Sequence, residues 1–248
     1  TVRAGLFLRY GLTDRLELGA EIPGYHRYRG FMEGAIIGVE RGTTGVAPPR
    51  KALRETGYAF NISNGSRTLF QGNDGATGLG DISFYGKYQI LKETSSLPAL
   101  SVRVGVKAPT GDTGEVFGSG HPDAGIGLAL DKKFADNWIL YANLNGVFPT
   151  GRIAGLGLQP VVSGLVAVEY LWTENFSITA QFDYYSPPFH GTGTRVLDKG
   201  VTESVLGVSY RILPGLLWQL YGVENLDFIT GSAADFTLST VLTYRFRS

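Results

Sequence analysis

Three side chains with the parts of an activated nucleophile stand close together in the sequence: Ser119, His121 and Asp123 in Phe117-Gly-Ser-Gly-His-Pro-Asp123. A hydroxyl, an imidazole and a carboxylate can make a serine nucleophile with its base and orienting acid. Residues two apart on one turn seldom reach mutual register, so the segment reads first as a loop built of turn residues. Gly72-Asn-Asp-Gly-Ala-Thr-Gly-Leu-Gly-Asp81 offers oxygen ligands to calcium, but lacks the spaced acidic positions and closing glutamate of a dedicated loop. Gly78-Leu-Gly80 and Gly191-Thr-Gly193 sit in no strand-to-helix crossover, so neither is a nucleotide fingerprint. His26 and His190 are lone loop histidines. The expectation is no catalytic residue, no metal and no cofactor.

Composition narrows the remaining classes. The chain of 248 residues has no cysteine, which removes disulfide scaffolds, thiolate metal sites and thiol catalysis. Its 22 basic and 22 acidic residues cancel, against the basic surplus that a nucleic-acid footprint needs. The longest uncharged run, Ile153 to Val168, contains Gly155, Gln159 and Pro160, so no segment reads as a membrane-crossing helix.

What positions these residues is a period of two. Between Phe176 and Tyr185, one set of alternate residues is Phe176, Ile178, Ala180, Phe182 and Tyr184, and the other is Ser177, Thr179, Gln181, Asp183 and Tyr185. Successive strand side chains point to opposite faces, so the split marks a strand between two unlike media. Eleven such strands are predicted, near 1–10, 15–23, 79–91, 98–109, 123–133, 138–149, 160–171, 176–186, 201–212, 216–228 and 235–246. Each is about as long as a tilted membrane-crossing strand, roughly 9–11 residues.

Their connections alternate in length. Short turns fall at 11–14, 92–97, 135–137, 173–175 and 213–215; long loops fall at 24–78, 110–122, 150–159 and 187–200, with a shorter one at 229–234. Short and long ends therefore occupy opposite rims, as in outer-membrane barrels. Trp138, Trp172 and Trp218 lie beside short turns, and Tyr244 and Phe246 close the last strand. These five are predicted to form an interfacial aromatic girdle.

The more polar set carries Arg3, Arg9, Glu17, Glu21, Asp81, Lys87, Arg103, Lys107, Asp131, Lys133, Glu169, Asp183, Glu203, Arg211 and Arg245. In a soluble sandwich or lipocalin-like barrel the apolar set would fill the interior. Here the glycines share the polar face, which favours a lipid-facing exterior and a polar lumen lined by those fifteen residues. If Phe246 ends at the periplasmic rim, Thr1 lies at the outer one, and single-chain bacterial barrels have even strand numbers. The expected fold is thus an all-β, antiparallel, up-and-down transmembrane barrel of about twelve strands, eleven of them in one domain over 1–248, with a strand and signal peptide upstream.

Loop 24–78 exceeds the length at which loops are usually functional or disordered. Ala59-Phe-Asn-Ile-Ser63 and Ser66-Arg-Thr-Leu-Phe70 flank Asn64-Gly65, a strong hairpin signal, and Phe31 to Arg41 could add a turn or two of helix. The loop is expected to constrict the barrel mouth. Its surplus of Arg27, Arg29, Arg41, Arg50, Lys51, Arg54 and Arg67 over Glu33, Glu40, Glu55 and Asp74 would suit anionic lipopolysaccharide.

Arg9-Tyr-Gly-Leu-Thr-Asp-Arg-Leu-Glu-Leu-Gly-Ala-Glu-Ile-Pro23, Gly78-Leu-Gly-Asp-Ile82, Lys107-Ala-Pro-Thr-Gly111 and Gly118-Ser-Gly120 resemble a family of Gram-negative outer-membrane proteins known only as a domain of unknown function. More distantly, the chain is similar to barrels named after a phenol-degradation pathway. The family pattern has an acidic residue and a histidine after the second strand. Here Phe31 to Gly42 has Glu33 and no histidine, so no role of that histidine carries over. The resemblance implies a barrel in the outer membrane and no particular activity.

The function expected is a passive channel for small solutes through a charge-lined lumen, with outer-membrane lipid and lipopolysaccharide as surroundings. The alternatives are a closed scaffold whose outer loops bind a surface protein partner, and a membrane-embedded lipid hydrolase using Ser119 and His121.

Overall fold

The period of two is realised as one long antiparallel ladder. The computed structural model describes residues 1–28, 34, 38, 41–42, 59–73, 75–153, 155–226 and 236–246. In chain order the strands are β1 (Val2–Gly11), β2 (Leu16–His26), β3 (Ala59–Asn64), β4 (Arg67–Asn73), β5 (Thr77–Leu79), β6 (Ile82–Leu91), β7 (Ala99–Ala108), β8 (Asp123–Ala135) and β9 (Trp138–Pro149). They continue with β10 (Arg152–Ile153), β11 (Leu156–Gly157), β12 (Val161–Leu171), β13 (Phe176–Tyr185), β14 (Val201–Leu213), β15 (Leu216–Asn225) and β16 (Phe236–Tyr244). A short helix, α1 (Arg195–Asp198), precedes β14. The main sheet runs β1-β2-β6-β7-β8-β9-β12-β13-β14-β15-β16, each strand beside its neighbour in the chain, with β5 paired onto β2. The eleven path strands are those the alternation predicts. Among the described residues β1 pairs only with β2 and β16 only with β15.

Register keeps the two faces separate over the whole ladder. Along the path strands paired residues share parity, as Arg3 with Tyr25, Lys87 with Arg103, Asp183 with Glu203 and Tyr221 with Ser239, except beyond the register shifts at the short turns, where Leu91 meets Leu100, Ala135 meets Trp138 and Leu213 meets Leu216. A slip of one residue would turn a strand's apolar set inward. On the path strands, the exposed large apolar side chains are even-numbered, apart from Phe7, Val147, and Leu91 and Leu213 beside register shifts. Exposed apolar surface this continuous is foreign to a water-soluble monomer.

Short turns are fixed by local chemistry. Thr13 Oγ1 accepts the amides of Arg15 and Leu16, and Thr173 Oγ1 accepts those of Asn175 and Phe176. Each hydroxyl replaces ladder partners that the chain loses as it reverses. The glycines of the polar face have a different use. A Cβ at Gly19 would lie 2.2 Å from the ring of its ladder partner Tyr85, and one at Gly207 would lie 2.3 Å from that of Tyr221. Both tyrosines therefore lie flat along the wall instead of projecting into the interior.

Candidate functional site

Odd-numbered side chains from β8 through β16 line one cavity of about 460 Å³. Strands at opposite ends of that half-sheet share it, so the sheet curls around its odd-numbered face. Asp131, Glu169, Asp183 and Glu203 lie in its wall with Tyr141, Gln181 and Tyr221. A second cavity of about 590 Å³ takes Arg9, Glu17, Glu21, Lys87 and Arg103 from β1, β2, β6 and β7. Arg3 bonds Glu21. Arg103 Nη2 donates to Asn145 Oδ1 at 2.8 Å. Glu169 accepts from the Tyr141 hydroxyl at 2.6 Å and from Ser177. Lys133, Arg211 and Arg245 are exposed near the short-turn rim, and Asp81 and Lys107 belong to a network at the long-loop end.

That network gathers an ammonium, two carboxylates and a hydroxyl. Lys107 Nζ lies 2.9 Å from Asp81 Oδ2, 2.5 Å from Asp123 Oδ2 and 2.7 Å from Ser119 Oγ. Asp81 also accepts the amides of Gly111 and Ser119, each at 2.9 Å. The segment between β7 and β8 is thereby folded back onto its own strands. A second tether is the buried Arg27, whose Nη1 meets Glu115 Oε2 at 2.9 Å and whose guanidinium lies 4.6 Å from the Phe117 ring. Phe117 in turn stacks on Tyr25 at 5.3 Å. Nothing in the spacing of Arg27 and Glu115, 88 residues apart, signals this pair.

Ser119, His121 and Asp123 are close together without forming a nucleophile. Ser119 Oγ can donate to the His121 carbonyl at 2.9 Å, while the His121 ring lies against Gly151. Asp123 faces Lys107 and the Thr150 amide, so it orients no imidazole. The Lys107 ammonium, clasped by two carboxylates, has no lone pair with which to take the serine proton. Among the described residues no group of three or more His, Cys, Asp or Glu side chains could hold a metal ion.

Asp81 sits in the link between β5 and β6, outside the spanning strands. Burial opposes its charge, but the hydrogen bond from Lys107, the Ser119 and Gly111 amides and the Lys107 charge outweigh it and hold its carboxyl below the ordinary 3.8. A carboxylate more acidic in the folded chain stabilises fully above its unfolded value and loses that contribution as pH falls through the folded one. The Gly111 and Ser119 amide resonances, followed in detergent micelles, are therefore expected to titrate with a midpoint below 3.8. A midpoint above it would contradict the tether.

The long loops also meet one another. Leu69 and Phe70 of β4, Phe189 and Leu197 form a buried apolar cluster, joined by Val116, Ile153, Leu156 and Leu158. Phe70 and Phe189 rings are 5.7 Å apart. Contributors come from the loops after β2, β7, β9 and β13, rooted along most of the rim. The β3–β4 hairpin is the one predicted at Asn64-Gly65, with Gly65 at φ +59°. Residues 43–58, most of the helix expected within Phe31 to Arg41, and most of the loop's basic surplus lie outside the described residues.

At the other rim, Phe134, Trp138, Tyr170 and Trp172 make a chain of ring contacts at 6.3, 4.7 and 6.3 Å. Tyr244 and Phe246 make another at 4.7 Å. Trp218 Nε1 donates to Thr240 Oγ1 at 2.8 Å. These rings offer apolar bodies on the even-numbered face, and the tryptophans and tyrosines among them add a polar N–H or O–H tip.

Residues 49–246 match the family model for DUF3187, described as a protein of unknown function. No curated protein matches the sequence. The COG4313 outer membrane channel from Pseudomonas putida F1 superposes with a TM-score of 0.60 at 13% identity, covering 97% of this chain and 79% of that one. The NanC porin superposes with a TM-score of 0.57 at 9% identity, covering 98% of this chain and 93% of that one. At such identities the likeness is one of fold, that of an antiparallel outer-membrane barrel.

Proposed function

The chain belongs to the DUF3187 family, and for this member we propose a passive channel for small solutes in the bacterial outer membrane. The observation that carries this reading is the inverted arrangement of its faces: an apolar even-numbered exterior around an odd-numbered interior holding charges and two cavities. An interior that keeps such charges ionised must hold water, since dry burial of unpaired charge is costly, and a water-filled interior supports passage of small solutes. The lumenal charges would then set which solute passes, by diffusion and without a cofactor. Short turns face the periplasm in this reading, and lipopolysaccharide surrounds the loops.

The apolar cluster of the four long loops supports a constriction at the outer mouth, because loops rooted so far apart can share one core only by reaching over it. In planar bilayers the protein is expected to give discrete conductance steps, and removal of hairpin residues 60–72 is expected to enlarge them. Steps of unchanged size after the deletion would count against the constriction. No steps from either protein would favour the other reading that this loop core supports, a closed scaffold binding a surface partner.

A further inference from the structure

Opposite charges on the inner face neutralise one another only where they meet. Arg3 pairs with Glu21, and Lys107 with Asp81 and Asp123. Apart from Glu17, which is the ladder partner of Lys87, the remaining inner-wall charges away from the short-turn rim are sorted by sign. Lys87 and Arg103 are ladder partners on β6 and β7, with Arg9 nearby in the same cavity wall. Asp183 and Glu203 are ladder partners on β13 and β14, with Glu169 in the same cavity wall, which Asp131 joins from β8, the strand beside β7. Among the described residues neither set makes an ion pair with the other. Asp183 takes its hydrogen bonds from neutral Gln181, and Arg103 gives one to neutral Asn145.

Strand order turns this sorting into a direction. From β6 to β14 is a step of six strands along an eleven-strand path, about half-way round a barrel of that size. The acidic side chains run from Glu169, near the short-turn end of β12, to Glu203, near the long-loop end of β14. They therefore bracket the depth of Lys87 and Arg103, each about midway along its strand. Glu17, opposite Lys87 on β2, reduces the basic wall without reversing it. The bases on the acidic side, Lys133, Arg211 and Arg245, sit at the exposed rim, where salt screens them.

Resting on the channel reading, we propose that the bore is polarised across its width and favours small zwitterions over neutral solutes of the same size. An ammonium and a carboxylate a few ångströms apart can face the two walls at once, whereas a simple ion gains at one wall and loses at the other. The solute class this selects is the free amino acid or a similar inner salt, with little preference between K⁺ and Cl⁻.

Liposome swelling with alanine and with lactamide, its uncharged near-isostere, tests this directly. The wild-type protein should admit alanine about threefold faster than lactamide. Asp183→Asn/Glu203→Gln and Lys87→Gln/Arg103→Gln should each bring the ratio toward one with lactamide entry unchanged. In a KCl gradient the first variant should shift toward anions and the second toward cations. Lactamide entry with a wild-type ratio of one, or both variants shifting the same way, overturns the polarised bore and leaves the channel standing. No entry of either solute overturns both. The wild-type ratio needs no variant to fold, and the variants are neutral near-isosteres of the residues they replace.

Discussion

Replacing Lys107 with methionine is expected to cost about 3–5 kcal/mol of folding stability, the range for removing one partner of a buried ion pair. The side chains of Asp81 and Asp123 are only 6% and 11% exposed, so both carboxylates would be left charged and close together with no cation. Two carboxylates so placed must repel, protonate or draw in water, and each course loosens the link from β7 to β8 that Asp81 anchors through the Gly111 and Ser119 amides. Urea unfolding in lipid vesicles, read by tryptophan fluorescence, measures the loss. The triple variant Lys107→Met/Asp81→Asn/Asp123→Asn should recover much of it, because no buried charge is then left unpaired. A loss under about 1 kcal/mol, the size of an exposed pair, would mean that water reaches all three groups.

How far this site could be read from sequence depends on the distance between its parts. Lys107 and Asp123 flank one loop and are ladder partners, so strand alternation alone brings them to one face. Asp81 was legible as an inner-face residue, but its place beside Lys107 needed the β6–β7 register, which a shift between Gln89 and Leu91 alters. The Gly-Ser-Gly motif reads as turn chemistry, and Gly120 does sit at φ +72°. What the motif hides is that Ser119 spends its hydroxyl on Lys107 and the His121 carbonyl. Arg27 with Glu115, and Phe70 with Phe189, join loops far apart in the chain, and no local period records such contacts. The strands are different: every residue of Phe176 to Tyr185 reports its surroundings through parity, which is why eleven strands and their faces were readable.

Arginine at position 166 should separate a lipid-facing wall from a water-facing one. Val166 lies at the centre of β12, 54% exposed, between its ladder partners Ala142 and Phe182. In a bilayer this is close to the midplane, where arginine on the outer face of a barrel costs about 2–4 kcal/mol. Gln181 is the matched control: it lies one strand away on the opposite face, in the cavity wall, beside Asp183. Arginine there would meet a carboxylate and water, so Gln181→Arg should change stability by less than about 1 kcal/mol. Unfolding and refolding in vesicles compares the two under one condition. Were the even-numbered face in water, the ranking would reverse: Val166→Arg would add a solvated charge to an exposed valine at almost no cost, while Gln181→Arg would enter a closed interior. Equal costs, or the larger cost at Gln181, would therefore remove the membrane and, with it, the channel.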